Sequence, residues 1–391
     1  MSDKVDDVTD SCQYFARYNA RHYFGVPVTM LKVLCKGLLV LSLPFWAVVA
    51  HATSVIFLNP GSSTETFWVN YSQFMQAAAK DLGLDLRVLY SERNPGNTLS
   101  QAREALQGDQ RPDYLILVNE QYVAPEILRL SQGSGVKLFI VNSVLTPDQL
   151  RLLNERNDQR SEWIGSLVAD DEKAGYQTFK ELIRQHGPVA SGQTVDVLAF
   201  SGMKITPASQ LREQGLQRAL AEHPEVRLRQ LVYGEWTRQR AYEQAQQLLK
   251  RYPHTALIWS ANDEMALGAM AAAQELKYQP GKDVLFSAVN SSPEALKALL
   301  DGRLSALSAG HFTLGGWALV LLRDYELGVD MTRHGGPSWQ VGLFQLIDKP
   351  LARRLLSVQA TQDYGVNFRA LSAKGKPDSY RYPFDLQLLM R

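Results

Sequence analysis

From about residue 54 onward, apolar positions follow two alternating patterns. Short and nearly continuous apolar runs stand at residues 54–59 (SVIFLN), 86–90 (LRVLY), 114–118 (YLILV) and 137–142 (KLFIVN). Between them apolar residues recur at helical spacing, first as Phe67, Tyr71, Phe74, Met75, Ala78 and Leu82. That periodicity predicts helices over residues 67–82, 99–106 and 125–132. A second series repeats the pattern. Strands are expected at 194–200, 228–233, 256–260 and 284–289, and helices at 170–185, 210–223, 238–250 and 265–276. Unbroken apolar runs suit parallel strands covered on both faces. Their alternation with helices predicts an α/β fold of two similar, doubly wound parallel-sheet lobes. The polar segment 146–162 lies between the two series and is expected to be the first crossing.

In open α/β sheets ligands bind beyond the carboxyl ends of the strands. The residues there are 59–68, 91–94, 119–120, 142–143, 201–203, 234–236, 262–264 and 290–292, rich in Asn, Ser, Glu, Trp and Phe. Amides and carboxylates bond hydroxyl groups, and aromatic faces pack on sugar C–H surfaces. Such a rim suits a small, polar, neutral ligand, although Asn and Ser after strands also serve as plain turn chemistry.

The 391 residues include 41 basic and 40 acidic ones, a balance that nominates neither nucleic acid nor an anionic membrane. Residues 37–50 form an uncharged run of 14, preceded by Lys32 and Lys36 and followed by Ala50-His51-Ala52. The run is shorter than the ~20 residues of a membrane span, and reads as a cleaved signal peptide over 30–52. Residues 1–29 fit poorly before a signal and read as an extension from a start placed too far upstream. Removing 1–52 takes away Cys12 and Cys35 and leaves 36 basic against 36 acidic residues. A thiol-free exported chain suits an oxidising compartment.

Catalytic motifs are missing. Residues 187–194 (GPVASGQT) have phosphate-loop spacing, but Gln193 replaces the lysine and the segment precedes a strand. The seven histidines show no metal-ligand spacing, and no nucleophile stands with a base. No catalytic residue, metal site or cofactor is expected.

Residues 259–269 (WSANDEMALGA), with 233–236 (YGEW) and 289–295 (VNSSPEA), carry a family resemblance. Together with 164–175 (IGSLVADDEKAG), they resemble type I periplasmic binding proteins of the ribose/galactose/autoinducer-2 group. The resemblance spans about residues 54–330. It implies two lobes joined by three crossings and closing on a ligand. The lobes are then 53–167 plus 311–338, and 168–310 plus 339–350, with a tail over 351–391. The tail is irregular in pattern, and is expected to pack over the hinge, wrap the surface or meet a partner. A final second-lobe strand is expected at 340–347.

Carried over by position, the resemblance assigns ligand contacts to Glu65, Phe67, Trp68, Asn142, Arg212, Trp236, Asn262, Asn290 and His311. Asn142 and Asn290 stand where sugar binders usually have Asp, and Gly310 where Gln is frequent. Phe67 and Trp68 also fit a helix core face, Arg212 an exposed helix charge, and Asp263 a helix cap. The function implied is capture of a sugar-like solute by a monomeric protein serving an ABC permease, or alternatively a membrane sensor. A repressor would need a helix-turn-helix before residue 54, where the apolar run stands instead.

Overall fold

The computed structural model describes residues 52–155 and 161–390. The expectations for an extension, a signal peptide and both cysteines fall on residues 1–51, outside the described residues. Among the described residues no helix is long and apolar enough to cross a membrane.

The first sheet contains β1 (Ser54–Asn59), β2 (Asp85–Tyr90), β3 (Tyr114–Leu117), β4 (Lys137–Asn142), β5 (Trp163–Ala169) and the late strand β11 (Ser338–Val341). Its order is β11-β5-β4-β3-β1-β2, and every pairing is parallel. The second sheet contains β6 (Val195–Ser201), β7 (Val226–Tyr233), β8 (Thr255–Ser260), β9 (Leu285–Val289), β10 (Ala306–Ala309) and β12 (Gln345–Leu346). Its order, β12-β10-β9-β8-β6-β7, repeats the first, except that β12 runs antiparallel. The two series are thus the same winding, built twice. The central strands are buried on both faces, which explains their unbroken apolar runs.

Helices α1 (Thr66–Leu82), α2 (Pro95–Gln107), α3 (Ala124–Ser131), α4 (Pro147–Glu155) and α10 (Leu314–Glu326) belong to the first lobe. Helices α5 (Asp171–His186), α6 (Pro207–Ala221), α7 (Arg238–Arg251), α8 (Asp263–Glu275), α9 (Pro293–Leu300) and α11 (Lys349–Thr361) belong to the second. Side-chain caps start several of them. Asn94 accepts from the Gly96 N–H at 2.8 Å, and Asp170 from Lys173 at 3.0 Å.

The chain passes between lobes at Asp170, at Gly310–Thr313 and at Gly342–Phe344. At the second pass Gly310 has φ +134°, and a Cβ there would stand 2.0 Å from the Leu343 carbonyl oxygen. Only glycine lets the second and third passes touch.

Three expectations are corrected. Segment 146–162 is not a crossing, because α4 starts within it and the chain returns to the first sheet as β5. The single strand expected at 340–347 is two. Residues 338–341 extend the first sheet, so the 339–341 segment pairs in the first lobe, and only 345–346 join the second. The tail is not irregular throughout, since 349–361 is a helix with Pro350 in its first turn and Asp348 capping Leu351 N–H at 2.8 Å.

After α11 the chain returns to the first lobe in a fourth pass. Tyr364 and Phe368 set their rings against Phe74, at 4.8 and 5.4 Å. Phe384 packs on Trp317 at 5.0 Å. Buried Asp324 of α10 accepts from the Ala373 N–H, from the Tyr382 hydroxyl at 2.7 Å and from Ser372. The end returns to α11, where Arg354 Nε donates to the Leu389 carbonyl.

Candidate functional site

The carboxyl ends of both sheets face each other across a narrow cavity between the lobes. All nine residues assigned from the sequence line it, and Arg93, Glu120, Thr206 and Ala208 line it as well.

The floor on the first lobe is charged. Arg93 Nε donates to Glu65 at 2.9 Å, and its Nη1 donates to Glu120 at 2.9 Å. Burial alone would lower the Arg93 pKa; the charges of Glu65 and Glu120 outweigh it and raise it. Burial pushes the Glu120 carboxyl above its ordinary range, against the pull of Arg93. Glu120 also reaches the other lobe, accepting from the Thr206 hydroxyl at 3.2 Å. Beside it the Tyr122 hydroxyl accepts from Gln210 Nε2 at 2.8 Å. These bonds cross the cleft, so the lobes are in a closed arrangement.

The walls are aromatic. Phe67 stacks on His311 at 4.5 Å and meets Trp68 edge-on at 4.9 Å. Trp68 is at once core and wall: its carbonyl accepts from Asn59 Nδ2 at 3.2 Å, and Gly61 lies against its ring. A Cβ on Gly61 would sit 2.0 Å from Trp68 Cδ1. Gly61→Ala is therefore expected to displace Trp68 into the cavity at about 1–3 kcal/mol. Thermal unfolding of the free protein and of protein with sugar checks this; an unchanged response to sugar would place Trp68 outside the site.

Arg212 is not an exposed helix charge. It is buried on α6, and its Nε and Nη2 both approach Asp171 Oδ1 at 2.8 Å. Nη1 donates to the Ala261 carbonyl at 2.7 Å, and Nη2 lies 3.4 Å from His311 Nε2. The guanidinium stands over Trp236, 5.7 Å from its ring. Burial, with the Arg212 charge adding to it, holds the His311 imidazole well below its usual pKa, so the ring is neutral. Because a guanidinium only donates, His311 Nε2 is the acceptor and Nδ1 carries the proton.

Asn262 is spent on scaffolding. Its Oδ1 caps α8 by accepting from Met265 N–H at 2.9 Å, and its Nδ2 donates to the Trp236 carbonyl at 3.0 Å. The cap that the sequence gave to Asp263 as its plainer role is therefore held by Asn262. Asp263 instead organises the next loop, accepting from Asn290 Nδ2 at 3.0 Å and Ser292 N–H at 2.9 Å. Arg93, Asn142, Trp236 and Asn290 all have positive φ, at 58°, 67°, 66° and 96°. Such backbone is costly for these residues and clusters where function requires it.

Four buried polar atoms of lining residues have no hydrogen-bond partner among the described residues: Trp68 Nε1, Trp236 Nε1, His311 Nδ1 and Asn142 Oδ1. Three are donors and one is an acceptor. Buried polar groups are normally paired, and donors and an acceptor on lining residues are groups that the hydroxyls of a bound molecule can satisfy. A more open depression around Glu181, Gln185 and Lys349 contains no such atom. Among the described residues no cluster of His, Cys, Asp or Glu is placed to hold a metal.

Residues 55–327 match the family model described as a periplasmic binding protein domain. The chain belongs to this family. It is a type I periplasmic binding protein, a class of substrate-binding transport proteins rather than enzymes. It is 25% identical to the ribose import binding protein of Escherichia coli over 263 residues, covering 66% of this chain and 80% of that protein. To the D-allose-binding periplasmic protein of E. coli it is 30% identical over 273 residues, with the same coverage. A crystal structure of a periplasmic sugar-binding protein from Pseudomonas fluorescens superposes with a TM-score of 0.82. That chain is 68% identical, and the match covers 87% of this chain and all of that one.

Arg93, Glu120, Thr206 and Ala208 line the cavity but are not among the nine residues assigned by position. Arg93 and Glu120 stand directly past strands, where the post-strand rule points. Thr206 and Ala208 flank Pro207 at the start of α6 and carry no local signal.

Proposed function

We propose that this protein is a periplasmic solute-binding protein that captures a small, neutral, sugar-like ligand between its lobes for an ABC importer. The observation that carries this reading is the set of four unpaired buried groups on the cavity wall. Indole and imidazole N–H groups donate to ring hydroxyls while the Asn142 oxygen accepts from one. Phe67, Trp68 and Trp236 supply apolar faces for the C–H surfaces. The relatives named for ribose, D-allose and sugar support the same ligand class. Asn142 and Asn290, in place of the usual acids, point away from a pentose or hexose held in the ordinary way.

Closure is the working step. Opening at Asp170, at 310–313 and at 342–344 separates Glu120 from Thr206 and Tyr122 from Gln210. A sugar that touches both lobes favours the closed state by the contacts it makes only there. The importer then reads the closed surface. The chain acts in the periplasm, after export by the N-terminal signal.

A thermal-shift screen of pentoses, hexoses, furanose-forming sugars and inositols tests the reading. At a hundredfold excess over Kd, a true ligand is expected to add about 2.7 kcal/mol of stability. If no neutral sugar shifts the transition, the reading fails.

A further inference from the structure

Asp171 does not line the cavity, yet it lies directly behind a residue that does. It is buried at the start of α5, on the first pass between lobes. Both Nε and Nη2 of Arg212 approach its Oδ1 at 2.8 Å. The same guanidinium meets His311 on the second pass and lies 5.5 Å from the ring of Phe344 on the third. Arg212 is therefore fixed from three sides, with its charge matched before any ligand arrives.

The other guanidinium in the cavity is treated likewise, since Arg93 is shared between Glu65 and Glu120. The ionic groups of the site are thus two guanidiniums against three carboxylates, and His311 is neutral. A ligand carboxylate entering here finds no uncompensated cation. Neutral N–H donors could bond its oxygens, but with no uncompensated positive charge beside it the desolvation of its own charge is a large cost in a closed cleft. Burial, the larger effect, holds the Asp171 carboxyl above its ordinary value against the pull of Arg212. In contact with a permanently charged guanidinium, the ionised form prevails at neutral pH.

On this basis, and resting on the sugar-binding reading above, we infer that Asp171 is a specificity-determining positioning residue. By neutralising Arg212 it makes the cleft accept uncharged sugars and refuse the corresponding sugar acids.

The test titrates wild type, Asp171→Asn and Asp171→Glu with matched probes, D-galactose against D-galacturonate and D-ribose against D-ribonate. Wild type and Asp171→Glu are expected to bind the neutral member only. Asp171→Asn shifts the acid-to-neutral affinity ratio by about tenfold or more towards the acid, as expected when one compensating charge is lost in a dry site. A merely structural role would weaken both probes together and leave the ratio unchanged, which overturns the inference. A wild type that binds the acid as well as the neutral sugar also overturns it, while leaving the binding function intact. If Asp171→Asn does not fold, Arg212→Gln with Asp171→Asn removes both charges. That double variant is expected to stay selective for the neutral sugar, and binding of the acid by it would refute the assignment. A wild type that binds no neutral sugar refutes the sugar-binding reading itself, and the selectivity assigned to Asp171 with it.

Discussion

Trp236→Ala is expected to weaken sugar binding by about 30- to 1000-fold while leaving a folded protein. The range corresponds to about 2–4 kcal/mol, as found when a buried aromatic anchor is removed from the centre of a binding site. Trp236 contributes in two ways. Its face forms a wall against which Arg212 is held, 5.7 Å from the ring centre. Its Nε1–H is one of the unpaired donors, so truncation removes both a surface and a hydrogen bond. The residue sits at φ 66°, held there by the bond from Asn262 Nδ2 to its carbonyl. Replacement by Ala leaves this backbone bond in place, so the loop and α8 keep their geometry. Calorimetric titration gives the change in Kd, and differential scanning calorimetry without sugar checks the fold. Equal affinity in the variant would mean that the indole faces something other than the ligand.

Asp324→Ala should cost about 3 kcal/mol or more of unfolding free energy. Asp324 is fully buried on α10 and holds three donors of the tail: Ser372, the Ala373 N–H and Tyr382. Removing one acceptor leaves several buried donors unpaired, each at about 1–3 kcal/mol. The tail then loses its grip on the first lobe, and Tyr364, Phe368 and Phe384 lose the geometry in which they cover Phe74 and Trp317. Urea unfolding measures the loss, and limited proteolysis reports whether cleavage within 362–390 accelerates. Unchanged stability would show that the fourth pass is held by its aromatic contacts alone.

The fold was legible because parallel strands covered on both faces must be apolar throughout, and helices lying on them must carry a stripe. Both periods survive in the sequence. The errors arose where that logic is weak. Strand β12 is two residues long, too short to leave a period, so 340–347 read as one strand. Helix α4 is mostly exposed and polar, which made 146–162 look like a linker. The start signals of α11, Asp348 and Pro350, were present but lay beyond the part of the chain that resembles the family.

The site was legible to the extent that it follows strand ends. All nine assigned residues share one cavity, yet sequence position does not say what each side chain does there. Asn262 looked like a ligand amide and is consumed by a cap and a loop. Arg93 and Glu120 stand 27 residues apart and meet only because β2 and β3 flank β1 in the sheet. Nothing in the local sequence distinguishes Asp171 from Asp170, which caps the same helix. The pairing of Asp171 with Arg212 spans 41 residues and exists only in the folded lobe.

A crystal structure of the protein with the best sugar from the screen tests the central claim most directly. The account predicts one sugar between the lobes, flanked by Trp68 and Trp236. Its hydroxyls should lie within hydrogen-bond distance of Trp68 Nε1, Trp236 Nε1, His311 Nδ1 and Asn142 Oδ1. A sugar found in the open depression near Lys349, or a cleft that stays empty while the sugar binds elsewhere, would contradict it.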